Sequence, residues 1–356
     1  MGITKKNIPL NQNPSVSVVI ATYNSEKTID ACLKAIRTQV YPQNKIDIIL
    51  CDGGSIDSTF SLVKKYKVDF VPVPRHLQNA EYNKGVGVRK AKGDVILMID
   101  HDNIIPHKHW LQKMVKPLVE DPEIVGVETL RYHYSPELSL IDRYYALFGA
   151  GDPVAFYLGK ADRLSFIYDK YNLRGDALDK GNYYKVKFKN ENIPTLGANG
   201  FVIRRKLLIE NARIDGKNFF HIDVNVDLIR KSFNTYAFIK DDIIHLTGYK
   251  NITSFLYRRI LFMEQFHVQQ ISQRRYSLFM KGDLIRLIIF IIYSITFVKP
   301  LFDSVRGYLK IKDNAWFVHP ILCFSMVIIY GSITIKSKVF PNGEFIQKQE
   351  HIDNRN

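Results

Sequence analysis

The chain has 356 residues, 46% hydrophobic and 24% charged, enough to bury one substantial core and a smaller second unit. Its three cysteines, Cys32, Cys51 and Cys323, show no CxxC or Cys/His spacing, which excludes a disulfide-stapled scaffold and a zinc site and points to a reducing compartment. A formal net charge of +15 asks for a polyanionic partner: nucleic acid, an anionic membrane or a phosphorylated ligand.

The N-terminal extension, 1–14, carries two lysines and no apolar core, so it does not read as a secretory signal, and the body of the chain is expected in the cytosol. The next stretch, to about residue 130, alternates two periodicities. Val16 to Ile20 reads as a buried strand, followed by a helix whose Ile29, Cys32, Leu33 and Ile36 fall at i, i+3, i+4 and i+7. Ile46 to Leu50 is the next strand. Ser55 is placed to cap a helix running towards Tyr66, Phe70-Val71 is a short strand, Asn83 to Ala91 a helix, and Val95 to Ile99 a strongly apolar strand. A helix from His109 to Glu120 and a strand from Ile124 to Val127 follow. This alternation predicts an α/β fold with a doubly wound, mostly parallel sheet and right-handed crossovers. Ligands of such sheets bind beyond the carboxyl ends of the strands, where this chain places Ala21-Thr22-Tyr23-Asn24, Cys51-Asp52-Gly53-Gly54-Ser55 and Asp100-His101-Asp102.

Arg131 to Tyr184 differs, with 12 of its 54 residues Phe or Tyr and poor periodicity; it reads as an acceptor-facing insertion or as a loop-rich extension of the core. Ile252 to Tyr276 reads as a helix with a basic, glutamine-rich face: Arg258, Arg259, Gln265, Gln269, Arg274 and Arg275. Two apolar runs follow. In Leu284 to Phe302, Arg286 and Lys299 leave only Leu287 to Val298 uncharged, short of the roughly 20 residues that span a bilayer. Ala315 to Ile335, whose one basic or acidic residue is His319, is the better spanning candidate. The joining segment, Asp303 to Asn314, carries Arg306, Lys310 and Lys312, which the positive-inside rule keeps cytosolic, so the first run either spans or lies in the interface. From Lys250 onward 15 Lys/Arg face 7 Asp/Glu, and basic residues around apolar runs favour membrane lipids over nucleic acid as the partner.

The sharpest chemical signal is Asp100-His101-Asp102. Two carboxylates one residue apart at a strand end can both reach one hard divalent cation, Mn2+ or Mg2+, which bridges the oxygens of a diphosphate.

With that triplet, the chain resembles the family 2 glycosyltransferases of GT-A fold through five ordered segments. They are Ser17 to Asn24, Asp52-Gly53-Gly54-Ser55-Ile56-Asp57-Ser58-Thr59, Tyr82-Asn83-Lys84-Gly85, Ala91-Lys92-Gly93-Asp94 and Asp100-His101-Asp102. The similarity continues less sharply through Gly197-Ala198-Asn199-Gly200-Phe201 and Phe220 to His245. The resemblance implies that Thr22, Tyr23 and Asn24 lie at the nucleotide, that Asp52 hydrogen-bonds the base and that Asn83 and Lys84 approach base or ribose. It further implies that Asp100 faces ribose and metal, that Asp102 is the principal metal ligand with His245 completing the site, and that Asn199 and Gly200 lie towards the acceptor. The family's general base sits in a Glu-Asp pair; here Asp223 fits the Asp while Ile222 replaces the Glu, and Asp227 is the rival. Gly53 stands where many members carry Asp, and the Gln-x-x-Arg-Trp motif of processive members is absent, since Ser272 precedes Arg275-Tyr276.

The resulting expectation is a metal-dependent, inverting hexosyltransferase adding single sugars in cell-surface glycan or glycoprotein biosynthesis. Its donor would be a UDP-sugar before a GDP-sugar, and its acceptor a polyprenyl phosphate or other lipid-linked glycan. The expected domains are 15–249 (a nucleotide-binding half, 15–130, and an acceptor half, 131–249), an amphipathic interface region at 250–282, membrane-associated helices at 283–336 and a polar tail at 337–356. The catalytic domain is expected to face the cytoplasm at the plasma membrane. The alternatives are a nucleotidyltransferase, although Ala21 to Ser25 lacks the glycine- and basic-rich loop of that class, and an inactive membrane scaffold, for which Ile222 is the best argument.

Overall fold

The computed structural model describes residues 9–215, 219–264, 274–277 and 280–339. In chain order the elements begin β1 (Val16–Thr22), α1 (Ile29–Arg37), β2 (Ile46–Asp52), α2 (Thr59–Val63), β3 (Asp69–Pro72), α3 (Ala80–Lys90), β4 (Val95–Asp100), β5 (Asn103–Ile104), α4 (Trp110–Glu120) and β6 (Ile124–Tyr132). Then come α5 (Leu140–Phe148), α6 (Pro153–Leu158), β7 (Asp176–Asp179), β8 (Tyr183–Lys187), β9 (Phe201–Arg204), α7 (Arg205–Asn211), α8 (His221–Arg230) and β10 (Thr235–His245). The last are α9 (Ile252–Phe262), α10 (Leu284–Thr296), α11 (Val298–Lys310) and α12 (Val318–Val339).

The chain divides into two compact units, one of Met1–His133, Asp162–Leu164 and Lys170–Leu246, the other of Tyr134–Ala161, Ser165–Asp169 and Thr247–Asn356. The first unit is built on a sheet ordered β3-β2-β1-β4-β9-β6-β10-β8-β7, with β5 pairing β10. Strands β3, β2, β1 and β4 are mutually parallel, as are β6 and β10. β9 runs against both of its neighbours, and β8 and β7 close the far edge in antiparallel fashion. The expected mostly parallel α/β sheet is therefore present, with antiparallel insertions. β1, apolar but for Ser17 and the terminal Thr22, and the apolar run of β4 are buried throughout their strand interiors, as central parallel strands must be when helices cover both faces. Register pairs Ala21 with Cys51 and with Asp100, and Thr22 with Asp52, so the carboxyl ends of β1, β2 and β4 are level.

Local details depart from the periodicity. Ser55 does not cap α2; that helix starts at Thr59 behind Ser58, because the Ser55 hydroxyl is taken by the Asp52 carboxylate. The strand at Ile124 runs on to Tyr132, paired with β10. Of residues 131–249, Tyr134–Ala161, Ser165–Asp169 and 247–249 belong to the second unit. There the aromatic side chains that blurred the pattern find their partners. Phe148 packs edge-on to Trp316 and stacks on His319, and Tyr157 lies beside the same imidazole.

Also in the second unit, the run from Leu284 to Phe302 is broken. α10 and α11 meet at 80° across Phe297, which has φ 60, and Pro300 occupies the first turn of α11, where its missing N–H costs nothing. Asp303 to Lys310, expected in a connecting loop, is helix. Asn314–Val339 is long and apolar enough to cross a membrane, and the bent pair meets the same criterion only when taken together. The helix expected over Ile252 to Tyr276 is regular from Ile252 to Phe262; Gln265, Gln269 and Ser272 lie outside the described residues.

Candidate active site

Two loops interlock at the ends of β1 and β2. The Thr22 hydroxyl donates to Ser25 Oγ at 2.6 Å. Asn24 takes the left-handed region, φ 48, which asparagine tolerates better than most residues, and so turns its backbone N–H onto Ser55 Oγ at 2.9 Å. Its Oδ1 accepts from the Ile56 N–H at 2.9 Å. The buried Asp52 carboxylate accepts from the Gly54 and Ser55 N–H groups, at 3.0 and 2.9 Å, and from the Ser55 hydroxyl. Asn24 and Asp52 therefore shape the rim of the site, with Tyr23 half-buried between them. A Cβ at Gly53 would lie 2.0 Å from Gln78 Cγ, so any larger residue there obliges the Gln78 side chain to move.

α3 descends from this end of the sheet. Lys84, one turn in and fully buried, places Nζ 2.9 Å from each carboxylate oxygen of Asp100. Burial works against the Lys84 charge, but Asp100, Glu81 and Asp102 outweigh it and hold the ammonium above its ordinary pKa. Asn83 is enclosed, its Nδ2 3.5 Å from the Cys51 carbonyl, and its Oδ1 has no hydrogen-bond partner among the described residues. In the first turn, burial disfavours the Glu81 anion, yet His221 and Lys84 bring its carboxyl down to about 2. Glu81 Oε1 lies 2.6 Å from His221 Nδ1.

Asp102 and His245 come together from opposite ends of the unit's sequence. β5 pairs His245 with Asn103, the Leu246 N–H donates to the Asp102 carbonyl at 2.8 Å, and Asp102 Oδ2 lies 3.8 Å from His245 Nε2. Tyr132 stacks on the imidazole at 5.4 Å, its hydroxyl donating to Asp162 and accepting from Asn199 Nδ2. Asp100 is not a third member of this pair. β4 ends at Asp100, the turn carries Asp102 away from it, and Lys84 claims the Asp100 carboxylate. Among the described residues no three His, Cys, Asp or Glu side chains converge as a ready-made metal site. His101 turns instead to Thr28 Oγ1 at 2.9 Å. A carboxylate and an imidazole are donors that would fit a divalent cation, and the nitrogen donor suits Mn2+ better than the oxygen-seeking Mg2+.

In the loop before β9, the Asn199 carbonyl accepts from Arg163 Nη2 at 2.7 Å and its side-chain amide donates to Tyr132. Gly200 serves the fold: at φ 80 its N–H donates to the Met98 carbonyl, and a Cβ would lie 2.5 Å from Ile243 Cδ1. Arg163 forms a buried ion pair with Glu128 at 2.8 Å, and Glu128 Oε2 accepts from the Gly197 N–H. α8 carries both expected carboxylates. Asp223 is wholly enclosed, and Asp227, nearly so, accepts the Arg213 N–H at 2.9 Å. Both are therefore largely shielded from solvent. Four residues of the site lay beyond the sequence pattern: Glu81, Tyr132, Arg163 and His221. For His221 a signal existed, its place two residues before Asp223; the others are singled out by their spatial partners alone.

The sequence model of Glycosyl transferase family 2 matches residues 17–211. The chain is 23% identical over 348 residues to the dolichyl N-acetyl-alpha-D-glucosaminyl phosphate 3-beta-D-2,3-diacetamido-2,3-dideoxy-beta-D-glucuronosyltransferase of Methanococcus voltae, covering 89% of this chain and 95% of that protein. It is 28% identical over 109 residues to the glycosyltransferase AglE of Haloferax volcanii, a stretch of 30% of this chain and 36% of AglE, so that match spans about a third of its relative. Mannosyltransferase PcManGT from Pyrobaculum calidifontis, solved with GDP-Man and Mn2+, has the same fold, with a TM-score of 0.53 at 14% identity over 96% of this chain and 92% of that one. With more than half of its length matched by the family model, the chain belongs to glycosyl transferase family 2.

Proposed function

We propose that the protein transfers a sugar, with inversion, from a nucleotide-diphosphate donor to a lipid-linked acceptor. The observation that carries the reading is the pairing of Asp102 with His245, 3.8 Å apart beside the level carboxyl ends of β1, β2 and β4. Asp102 and His245 would hold the divalent cation, Mn2+ before Mg2+, which when bound neutralises charge on the departing diphosphate. Lys84 keeps the Asp100 carboxylate in a fixed orientation at the same rim. The buried Oδ1 of Asn83 suits a ring N–H donor, which uracil and guanine both possess; a UDP-sugar remains the first choice and a GDP-sugar the second. The group that takes the proton of an acceptor hydroxyl would come from the first turn of α8, which contains Asp223.

Support for a lipid-linked acceptor comes from the name of the Methanococcus voltae relative, a transferase acting on dolichyl N-acetyl-alpha-D-glucosaminyl phosphate. It also comes from the second unit, where Ile285, Ile288, Ile292 and Ile295 expose one face of α10, a face suited to membrane lipids. The protein would then sit at the plasma membrane with its first unit in the cytoplasm. The deciding experiment measures UDP and GDP binding with Mn2+ and with EDTA, comparing wild type and Asp102→Asn. Metal-dependent binding of one nucleotide, lost in the variant, is the expected result; binding of neither by the wild type refutes the reading.

A further inference from the structure

Glu81 and His221 stand 140 residues apart in sequence, yet one carboxylate clasps the other residue twice. Oε1 lies 2.6 Å from the imidazole Nδ1, and Oε2 accepts the His221 backbone N–H at 2.8 Å. An ionised carboxylate only accepts, so Nδ1 carries the hydrogen, and in the neutral tautomer that this fixes the lone pair is on Nε2. Nε2 makes no hydrogen bond to any described residue, and the side chain keeps 26% of its surface exposed. The carboxylates farther along α8 are enclosed, Asp223 completely.

The position of this pair is set by α3. Its last turn leads to Gly93, packed against Ser15 and Ser17 at the amino end of β1, while Lys84 near its start reaches Asp100 at the carboxyl end of β4. The first turn, with Glu81, is thus level with the ligand-binding end of the sheet. On the other side, a Cβ at Gly197 would lie 2.6 Å from the His221 carbonyl. His221 is bounded by the helix that secures Asp100 and by the loop that leads to Asn199.

We infer that His221, oriented by Glu81, is the general base of the transfer reaction. The inference rests on the sugar-transfer reading above and names the group that the reading leaves open. As the acceptor oxygen bonds to the anomeric carbon, the bond from that carbon to the diphosphate oxygen breaks, and its electron pair departs with the nucleoside diphosphate. The hydroxyl proton passes to Nε2, and the Glu81 carboxylate stabilises the imidazolium that results. Lys84, beside Glu81, helps to keep that carboxylate ionised so that it does not take the proton itself.

The test uses the full chain in detergent with Mn2+ and with UDP-glucose, UDP-N-acetylglucosamine and GDP-mannose as donors, following release of nucleoside diphosphate to water as the acceptor. His221→Ala should lower release by about 10²-fold or more while leaving nucleotide affinity within twofold, and added imidazole should restore part of the rate. Rescue by imidazole is a readout that a merely structural role would not move. His221→Asn offers Nδ2 to Glu81 in place of Nδ1 but lacks the second ring nitrogen, so it should be as slow while remaining folded. A wild-type rate in both variants, or loss in both without rescue, overturns the inference and returns the role to Asp223, whose Asn variant would then be the inactive one. Failure of the wild type to bind either nucleotide instead overturns the donor-site reading on which the inference stands.

Discussion

Lys84 holds Asp100 with both carboxylate oxygens 2.9 Å from one ammonium that is itself buried. The first carboxylate of the Asp-x-Asp triplet is therefore held by a side chain of the protein itself. Lys84→Met should destabilise the fold by about 3 kcal/mol, because removing one partner of a buried pair leaves the other uncompensated. Adding Asp100→Asn should return most of that loss. Urea unfolding of the two single variants and the double variant gives the coupling directly.

Gly53→Asp, which would restore the residue many family members carry, should cost about 1–3 kcal/mol here, since its Cβ enters the space of Gln78. Pairing it with Gln78→Ala should remove most of the penalty. Thermal unfolding of the single and double variants distinguishes this clash from an effect of the added charge, which the double variant retains.

The Glu81 carboxyl is held near 2 against an ordinary value of 4.5, by His221 and Lys84 acting against burial. A depressed acid contributes stability that is fully present above its unfolded value and is lost as pH falls towards the folded one. The stability of wild type relative to Glu81→Gln should therefore be flat above about pH 5 and fall by about 3 kcal/mol between pH 4.5 and 2. Denaturant midpoints at stepped pH values measure the difference, and a gap that widens with acid would contradict it.

For the apolar face of α10, Ile288→Asp combined with Ile292→Asp should weaken sedimentation with anionic phospholipid vesicles at least about tenfold, given roughly 2 kcal/mol for each fully buried isoleucine. The same double change should leave nucleotide binding unaltered. Equal sedimentation of variant and wild type at high salt would place the membrane contact elsewhere.

The strands carrying Thr22, Asp52 and Asp100 are legible because each is a nearly unbroken apolar run, which only a strand buried on both faces requires. β9 is not legible. Phe201–Arg204 is four residues long, and nothing local says that it inserts between β4 and β6 with reversed direction. Asp100 and Asp102 part for a geometric reason: residues i and i+2 share a face only while the strand continues, and β4 stops at Asp100. On α8 chain spacing singled out Asp223, but spacing does not say which way a helical side chain points, and every residue from Ile222 to Ile229 is buried. His221 gains its meaning from Glu81, a partner far away in sequence. The break at Phe297 had a readable cue in Pro300, which cannot continue a helix from the preceding turn.

The three residues Asp162–Leu164 pass into the first unit between segments of the second, so the chain crosses from one unit to the other five times. They are fastened there by the Leu164 N–H on the Leu130 carbonyl and by Arg163 on Glu128 and Asn199. No single cut can therefore release either body whole: a chain ending at Leu246 would keep Tyr144 and Phe148 but lose the Trp316 and His319 that cover them. Recombination at one breakpoint cannot exchange the second unit of this protein as a cassette.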